Sequence, residues 1–302
     1  MLVSLIAAVL AALCYGVASV MQAIAVREAS TRSQAQASEG GMDAGLVPRM
    51  LRQWRFVASV FIDMLGFIAQ LVALHRLPLF AVQAMVAANL AVIAVLASVL
   101  MGATLSVREW LAVGGVVAGV GLLGSSAGAE GATTAGGAFK IALIIATAAL
   151  GVAGMIAARV LRDPARTLVL GSVAGFGFGA VGIAARVLNG FAPLTLLRDP
   201  AAYAVAAAGI VSFVFYATAL EGGSVTVATS AVVLAETLPP ALVGVLFLGD
   251  TTRPGLTPVA AAGFLLAVAS AVTLARFGEA EHPAGHPPGH AEAGNLPRQG
   301  LA

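Results

Sequence analysis

The stretch Thr226–Arg276, TVATSAVVLAETLPPALVGVLFLGDTTRPGLTPVAAAGFLLAVASAVTLAR, contains two apolar runs separated by one short polar turn. Each run is about 20 residues long, which is the length that an α-helix needs to cross the hydrocarbon core of a bilayer. Glu236 lies in the middle of the first run and is followed by Pro239 and Pro240. The stretch therefore predicts two membrane-spanning helices, one of which carries an ionisable group.

The composition of the whole chain agrees with this interpretation. Of its 302 residues, 60% are hydrophobic and 10% are charged, whereas a soluble domain carries about 25% charged residues. This balance excludes a water-soluble globular protein. The formal net charge of +2 is too small for a nucleic-acid-binding protein, so the lipid bilayer is the expected partner.

Nine apolar stretches are long enough, or nearly so, to span the membrane, and we number them spans 1 to 9. No Lys or Arg precedes the first stretch, so we interpret it as a retained span and not as a signal peptide. The sequence thus predicts an all-α polytopic membrane protein. The spans cover residues 3–26, 56–75, 79–101, 110–126, 138–160, 167–187, 201–220, 225–248 and 257–276.

The basic residues are distributed unevenly between the two faces of the membrane. Nine crossings place the termini on opposite sides, and Lys and Arg favour cytoplasmic loops. We therefore expect the N-terminus outside and the C-terminus in the cytoplasm, in the cell inner (plasma) membrane. Eleven of the sixteen Lys and Arg residues lie on the C-terminal side: Arg27, Arg32, Arg49, Arg52, Arg55, Arg108, Arg159, Arg162, Arg166, Arg276 and Arg298.

Two segments outside the spans have a distinctive composition. Residues 46–55, at the end of the cytoplasmic loop 27–55, place apolar and basic side chains on opposite sides of a helix, which is typical of an interfacial helix or of simple positive flanking. The tail 277–302 carries three histidines, but its prolines prevent a helix that would align them. A solvated, disordered tail is expected, with weak metal binding as the alternative.

The spacing of the spans indicates an internal repeat. Gly102 follows span 3 and Gly249 follows span 8, at matching positions 147 residues apart. On this offset the first repeat, 1–126, matches the second, 167–276, and span 5 (138–160) is a connecting helix. The repeats begin five crossings apart and would face opposite ways. Two inverted four-helix repeats are a recurring plan of secondary transporters.

The stretch Thr226–Arg276 resembles the EamA-like half of the drug/metabolite transporter superfamily. In that family a span with a central proline ends in an acidic residue at a short turn, and a glycine-bearing span follows; Pro239, Asp250 and Gly263 occupy those places. The stretch 77–124 resembles the same unit. The 4+1+4 layout is also similar to the NIPA-type magnesium transporters of that superfamily. The resemblance implies a transporter and does not name a substrate.

Ionisable and amide groups near the middle of the spans are the candidate substrate- or ion-binding residues. A charged side chain inside a bilayer is costly and is a functional candidate by default. Asp63 in span 2 and Glu236 in span 8 are such acids, and Asn89 in span 3 is the repeat counterpart of Glu236. All three are expected at similar depth near the midplane.

Polar groups on neighbouring helix faces extend the candidate site. Gln70 lies seven residues after Asp63, and Tyr15 and Gln22 lie on one face of span 1, so the two faces are expected to line one cavity. The alternative is that these groups form hydrogen bonds between packed helices.

The prolines after Glu236 deprive the carbonyl groups of Ala235 and Glu236 of their helical partners. A carboxylate beside free carbonyl oxygens suits a proton or a hard cation, and Thr229 and Ser230 lie on the same stripe of span 8. Alternatively, the hydroxyl groups stabilise helix packing and the prolines serve only as a kink or gate.

We therefore expect a secondary-active transporter that moves a small metabolite by alternating access, coupled to protons or a cation. A magnesium transporter, with Glu236 and Asp63 binding the metal, is the first alternative. A non-transporting subunit or an intramembrane enzyme is the alternative of another class. No H-E-x-x-H motif or glycine-rich phosphate loop occurs, so no catalytic residue and no cofactor is expected. A homodimer is one option for assembly.

The charge distribution yields a first test. A fluorescent protein fused after Ala302 should fluoresce, because it folds in the cytoplasm, whereas alkaline phosphatase fused there should be inactive. Fusions truncated after residue 77, at the end of span 2, should show the reverse pattern. An active phosphatase at the C-terminus would contradict the predicted orientation.

Overall fold

The structure, a computed structural model, describes residues 2–36, 54–101, 105–128, 131, 135–190, 192–220 and 225–277. This part of the chain is all-helical. The helices are α1 (Leu2–Gln36), α2 (Trp54–Leu74), α3 (Leu79–Ala87), α4 (Asn89–Met101), α5 (Val107–Ser126), α6 (Gly137–Val160), α7 (Ala165–Arg186), α8 (Pro193–Arg198), α9 (Pro200–Leu220), α10 (Val225–Phe247) and α11 (Thr257–Phe277).

Within the described residues, nine segments are long and apolar enough to cross a membrane, and they coincide with the nine predicted spans. The prediction of a helical multi-pass protein is confirmed. Span 3 consists of two helices, α3 and α4, which meet at Ala88. The short helix α8 was not predicted, because its six residues lie between two spans and carry no apolar run of their own.

Several predicted boundaries differ from the observed ones. Helix α1 continues to Gln36, beyond the predicted end at residue 26, because polar residues with good helix propensity extend a helix that hydropathy alone cannot follow. Most of the interfacial helix predicted for 46–55 lies outside the described residues, as does the tail after Phe277. Trp54 and Arg55 begin α2, with the Arg55 guanidinium 5.8 Å from the centre of the Trp54 ring.

Helix α5 begins at Val107, three residues earlier than predicted, because Ser106 and Glu109 form a capping box. The Ser106 N–H donates to Glu109 Oε2 at 2.6 Å, and the Glu109 N–H donates to Ser106 Oγ at 3.4 Å. These bonds satisfy two main-chain donors that the first turn of a helix leaves free. Glu109 therefore has a structural role at the end of the bundle.

The helices pack in two groups that contact each other. Helix α1 packs against α2 and α4, and α7 packs against α9 and α10. The groups meet where α3 contacts α10 and where α5 contacts α11, while α6 packs on the outside of α7 and α9. Small residues permit the close contacts: a Cβ at Gly175 of α7 would collide with the main chain of α10 at Val232. Such faces are typical of helix association in membranes.

One end of the bundle, which we call the N-side end, holds the start of α1 and the connections between α2 and α3 and between α10 and α11. There Ala127 forms an isolated antiparallel bridge with Thr252. The Gly128 N–H donates to Thr251 O at 3.1 Å, and the Arg253 N–H donates to Ser126 O at 2.9 Å. These main-chain bonds tie the end of α5 to the turn before α11.

The packing of α7 on α10 gives a second test. Gly175→Ala places a methyl group against the Val232 carbonyl, so we expect a loss of stability of about 1–3 kcal/mol or failure to fold. Gly209→Ala in α9 is the matched control, because nothing lies within 4 Å of its Cβ position; its stability should be unchanged or higher, since alanine favours helix. Thermal unfolding in detergent measures both, and equal midpoints would contradict the packing.

Candidate functional site

Two hydrogen bonds join the polar faces of α1 and α2. The Tyr15 hydroxyl donates to Gln70 Oε1 at 2.7 Å, and Gln22 Nε2 donates to Asp63 Oδ2 at 2.9 Å. Each helix supplies two groups seven residues apart, which lie on one face after two turns. The two faces therefore meet through hydrogen bonds between packed helices, which was the alternative to a shared cavity; that the faces line a cavity stays a prediction.

Tyr15 lies at the centre of this cluster. Its ring lies against Gly66 of α2, where a Cβ would be 3.2 Å from Tyr15 Cε1. Asp63 lies in α2 and Glu236 in α10, and both acids are half-buried. Asp63 belongs to this cluster through its hydrogen bond with Gln22, whereas Glu236 lies in the other group of helices.

The main chain of Asn89 lies close to the residue that follows Tyr15. It begins α4 directly after the break at Ala88, and its carbonyl oxygen lies 3.1 Å from the Cβ position of Gly16. Gly16 follows Tyr15 in the sequence, and a Cβ there would also lie 2.6 Å from Val92 Cβ. Glycine at this position thus allows α4 to approach α1 and brings Asn89 next to the site.

The hydroxyl groups of α10 have different partners. Thr229 Oγ1 lies 3.2 Å from the hydroxyl of Tyr216 in α9, whereas the buried Ser230 Oγ has no hydrogen-bond partner within the described part of the chain. Helix α10 continues through Pro239 and Pro240. The Glu236 carbonyl oxygen, which these prolines leave without a helical donor, lies 3.2 Å from the Cβ position of Gly179 in α7.

A polar network at the N-side end was not predicted. Asp250 accepts the Leu79 N–H at 2.5 Å and the Gly131 N–H at 3.1 Å, and it lies 3.4 Å from Arg186 Nη2. The Arg186 guanidinium also donates to the carbonyl oxygen of Leu74. We call these five residues the Asp250 network. It connects α2, α3, α7 and the turn after α10.

A second buried ion pair joins α6 to α9. Lys140 Nζ lies 2.9 Å and 3.0 Å from the two carboxylate oxygens of Asp199, and the two side chains are 4% and 1% exposed. Asp199 also accepts the N–H groups of Asn189 at 2.8 Å and Ala201 at 3.0 Å. Burial acts to raise the pKa of Asp199, but these hydrogen bonds outweigh it and hold that pKa below its usual value.

The sequence gives a weak indication of the acidic residue in both the Asp250 network and the Lys140–Asp199 pair. Asp199 precedes Pro200 at the start of a span, which is a typical position for a helix cap. Asp250 follows Gly249, whose φ of 73° allows the turn that directs the carboxylate back toward α3. The basic partners, Lys140 and Arg186, are indistinguishable in the sequence from residues that flank a membrane span.

The central cluster of Tyr15, Gln22, Asp63 and Gln70 has groups for proton exchange or for binding a polar solute: one carboxylate, one phenol and two amides. The second acid, Glu236, lies in α10. Among the described residues, no group of three or more His, Cys, Asp or Glu side chains is placed to hold a metal ion. Comparisons of the chain with models of protein families, with curated proteins and with solved structures found no match.

The buried pair of Lys140 and Asp199 gives a third test. Lys140→Met leaves a buried carboxylate without its cation, so we expect a loss of about 3–5 kcal/mol. Adding Asp199→Asn should restore part of the stability, because it removes the unpaired buried charge. The N–H groups of Asn189 and Ala201 bond to different carboxylate oxygens, so the single amide oxygen can still accept only one of them. Thermal unfolding in detergent measures the four proteins of this cycle. A single Lys140→Met variant as stable as the wild type would contradict the expectation.

The same pair predicts an acid dependence. Because the pKa of Asp199 is lower in the folded protein than in the unfolded chain, its contribution is complete above about pH 4 and is lost as the pH falls further. The unfolding midpoint of the wild type should therefore decrease below that pH by more than the midpoint of Asp199→Asn does. Parallel decreases in the two proteins would show that Asp199 does not contribute.

Proposed function

We propose that the protein is a secondary-active transporter that moves a small metabolite across the cytoplasmic membrane by alternating access. The observation that carries the proposal is the position of Asp63 and Glu236. These acids lie inside spans of different groups of helices, both are half-buried, and Asp63 accepts a hydrogen bond from Gln22 of α1. Burying an ionisable group inside the bilayer costs free energy, and in membrane proteins such groups mark solute and ion pathways.

The helix contacts support the proposed inverted repeats. The contacts of α1 with α2 and α4 in the first half correspond to the contacts of α7 with α9 and α10 in the second. The contact of α5 with α11 and that of α3 with α10 each join corresponding spans of the two halves. If a two-fold axis relates the halves, the contacts of α1 should match those of α7. The contacts α5–α11 and α3–α10 should then lie across the axis. The proposed transporter would work by rocking of the halves around the central cluster.

The central cluster also supports coupling to a proton. A carboxylate that moves through a low-dielectric site is less costly when it is protonated, so binding and release of a proton can accompany the change of access. Gln22 Nε2 donates to Asp63 and can keep its hydrogen bond in both protonation states, because the carbonyl oxygen of a carboxylic acid still accepts one. In this proposal the two acids bind the proton and the polar groups around Tyr15 bind the solute.

The test uses purified protein in lipid vesicles that contain a trapped pH-sensitive dye. Amino acids, nucleosides, sugars, amines and magnesium chloride are added separately under an imposed pH gradient. We expect at least one class of organic solute to drive proton movement in the wild type. Asp63→Asn and Glu236→Gln should each reduce this movement to the level of protein-free vesicles.

Asp163→Asn is the matched control, because Asp163 is an exposed acid between α6 and α7. Its variant should behave like the wild type. Solute-driven proton movement that survives both intramembrane substitutions would remove the acids from the mechanism. With a magnesium-sensitive dye trapped in place of the pH-sensitive dye, proton-independent entry of magnesium alone would favour the magnesium transporter.

A further inference from the structure

One buried amide has no hydrogen-bond partner among the residues that the structure describes. The Gln83 side chain in α3 is 1% exposed, and in this part of the chain neither its Nε2 nor its Oε1 has a partner. An amide offers two donors and an acceptor oxygen, and an unsatisfied buried polar group costs about 1–3 kcal/mol. A methionine of similar length and shape would avoid this cost, so packing alone does not account for a glutamine here.

The amide lies at the contact between the two halves of the bundle. It faces Gly182 of α7, where a Cβ would collide with Gln83 Nε2. Glycine at 182 therefore leaves the space that the amide occupies. Since α3 belongs to the first half and α7 to the second, a movement of one half against the other would uncover this group.

The Asp250 network covers Gln83 from the N-side end. Leu79 lies one helical turn before Gln83 and gives its N–H to Asp250, and Arg186 lies one turn after Gly182 and pairs with Asp250. Residues one turn apart lie on the same helix face, about 6 Å from each other along the axis. The ion pair thus closes the contact between α3 and α7 directly above the amide.

Toward the membrane centre, the same face of α7 leads to the acidic site. Gly179 lies almost one turn before Gly182 and packs against Pro240 and the main-chain oxygen of Glu236. Along α7 toward the N-side end, the helix therefore passes first the main chain of Glu236, then the Gln83 amide and finally the Asp250 network. Gln83 thus lies between the network and the level of the Glu236 main chain along α7.

We propose that the Gln83 amide is a solute-binding group on the route from the N-side end to the central site, and that the Asp250 network closes this route in the present conformation. An uncharged amide that both donates and accepts matches a solute with hydroxyl or amide groups. This inference rests on the proposed transport function and names the chemical class of the solute. Opening of the network would expose the amide to water and to the arriving solute.

The first test measures access to position 83. Cys14 is the single cysteine of the chain, so Cys14→Ala provides a background for Gln83→Cys. The probe is a methanethiosulfonate reagent that carries a sulfonate and does not cross membranes, added from the N-side. We expect slow labelling while the network is intact and markedly faster labelling when Asp250→Asn is added. Arg186→Gln, which removes the charge that pairs with Asp250, is the second opening variant if Asp250→Asn does not fold.

Ala208→Cys is the matched control, because Ala208 of α9 is fully buried and lies away from the route, beside Gly177. Its labelling should stay slow in all backgrounds. Equal labelling of Gln83→Cys with and without the network, no labelling in either, or a parallel increase at Ala208→Cys would each overturn the proposal.

The second test separates binding from a structural role. Gln83→Met keeps the length of the side chain and removes the unsatisfied amide, so the unfolding temperature should not decrease. The same variant should reduce the proton movement driven by solutes with hydroxyl or amide groups in the vesicle assay. A lower unfolding temperature with unchanged transport would show that Gln83 is structural. If the wild type drives no proton movement with any solute, the transport proposal fails, whereas the labelling and unfolding results still decide whether the route exists.

Discussion

The close approach of α7 to its neighbours is the contact on which the rest of the bundle depends. A helix in lipid gains little from hiding apolar side chains, so helices associate where small residues let their backbones touch. Gly175 meets the main chain of α10, Gly177 meets Ser212 of α9, and Gly182 makes room for Gln83 of α3. At the end of the same helix, Arg186 reaches Asp250. One glycine-rich helix therefore sets the position of Glu236, of the Gln83 amide and of the polar network above them.

The two ion pairs show how charge is used near the ends of the spans. Asp199 and Asp250 are both buried, and both accept main-chain N–H groups in addition to their basic partners. A buried ion pair is stabilising only when such extra hydrogen bonds compensate for the loss of hydration. The pair of Lys140 and Asp199 joins α6 to the start of α9, whereas the Asp250 network joins the two groups of helices. The first therefore fastens α6, and the second ties α3 to the end of α7 and the turn after α10.

The central cluster was accessible to sequence reasoning because helical periodicity is a strong constraint. The spacing of Tyr15 and Gln22, and that of Asp63 and Gln70, puts each pair on one helix face, and the observed hydrogen bonds join the two faces. Periodicity could not show that Thr229 pairs with Tyr216, or that the Glu236 carbonyl faces Gly179. Nor could it show that Gln83 would have no hydrogen-bond partner among the described residues. These facts depend on which helix lies opposite, and that information is not local.

The sequence by itself determined that the protein is helical, that nine segments are able to span a membrane, and where acids interrupt them. The physical reason is that lipid requires each segment to satisfy its own backbone hydrogen bonds, so length and hydropathy suffice to find the spans. Only the tertiary structure decided which helices touch, that span 3 is broken at Ala88, and which acids at the span ends are buried in ion pairs. Those features arise from contacts between residues that are far apart in the chain, such as Leu79 and Asp250. The sequence around one of these residues does not indicate which distant residue it will contact.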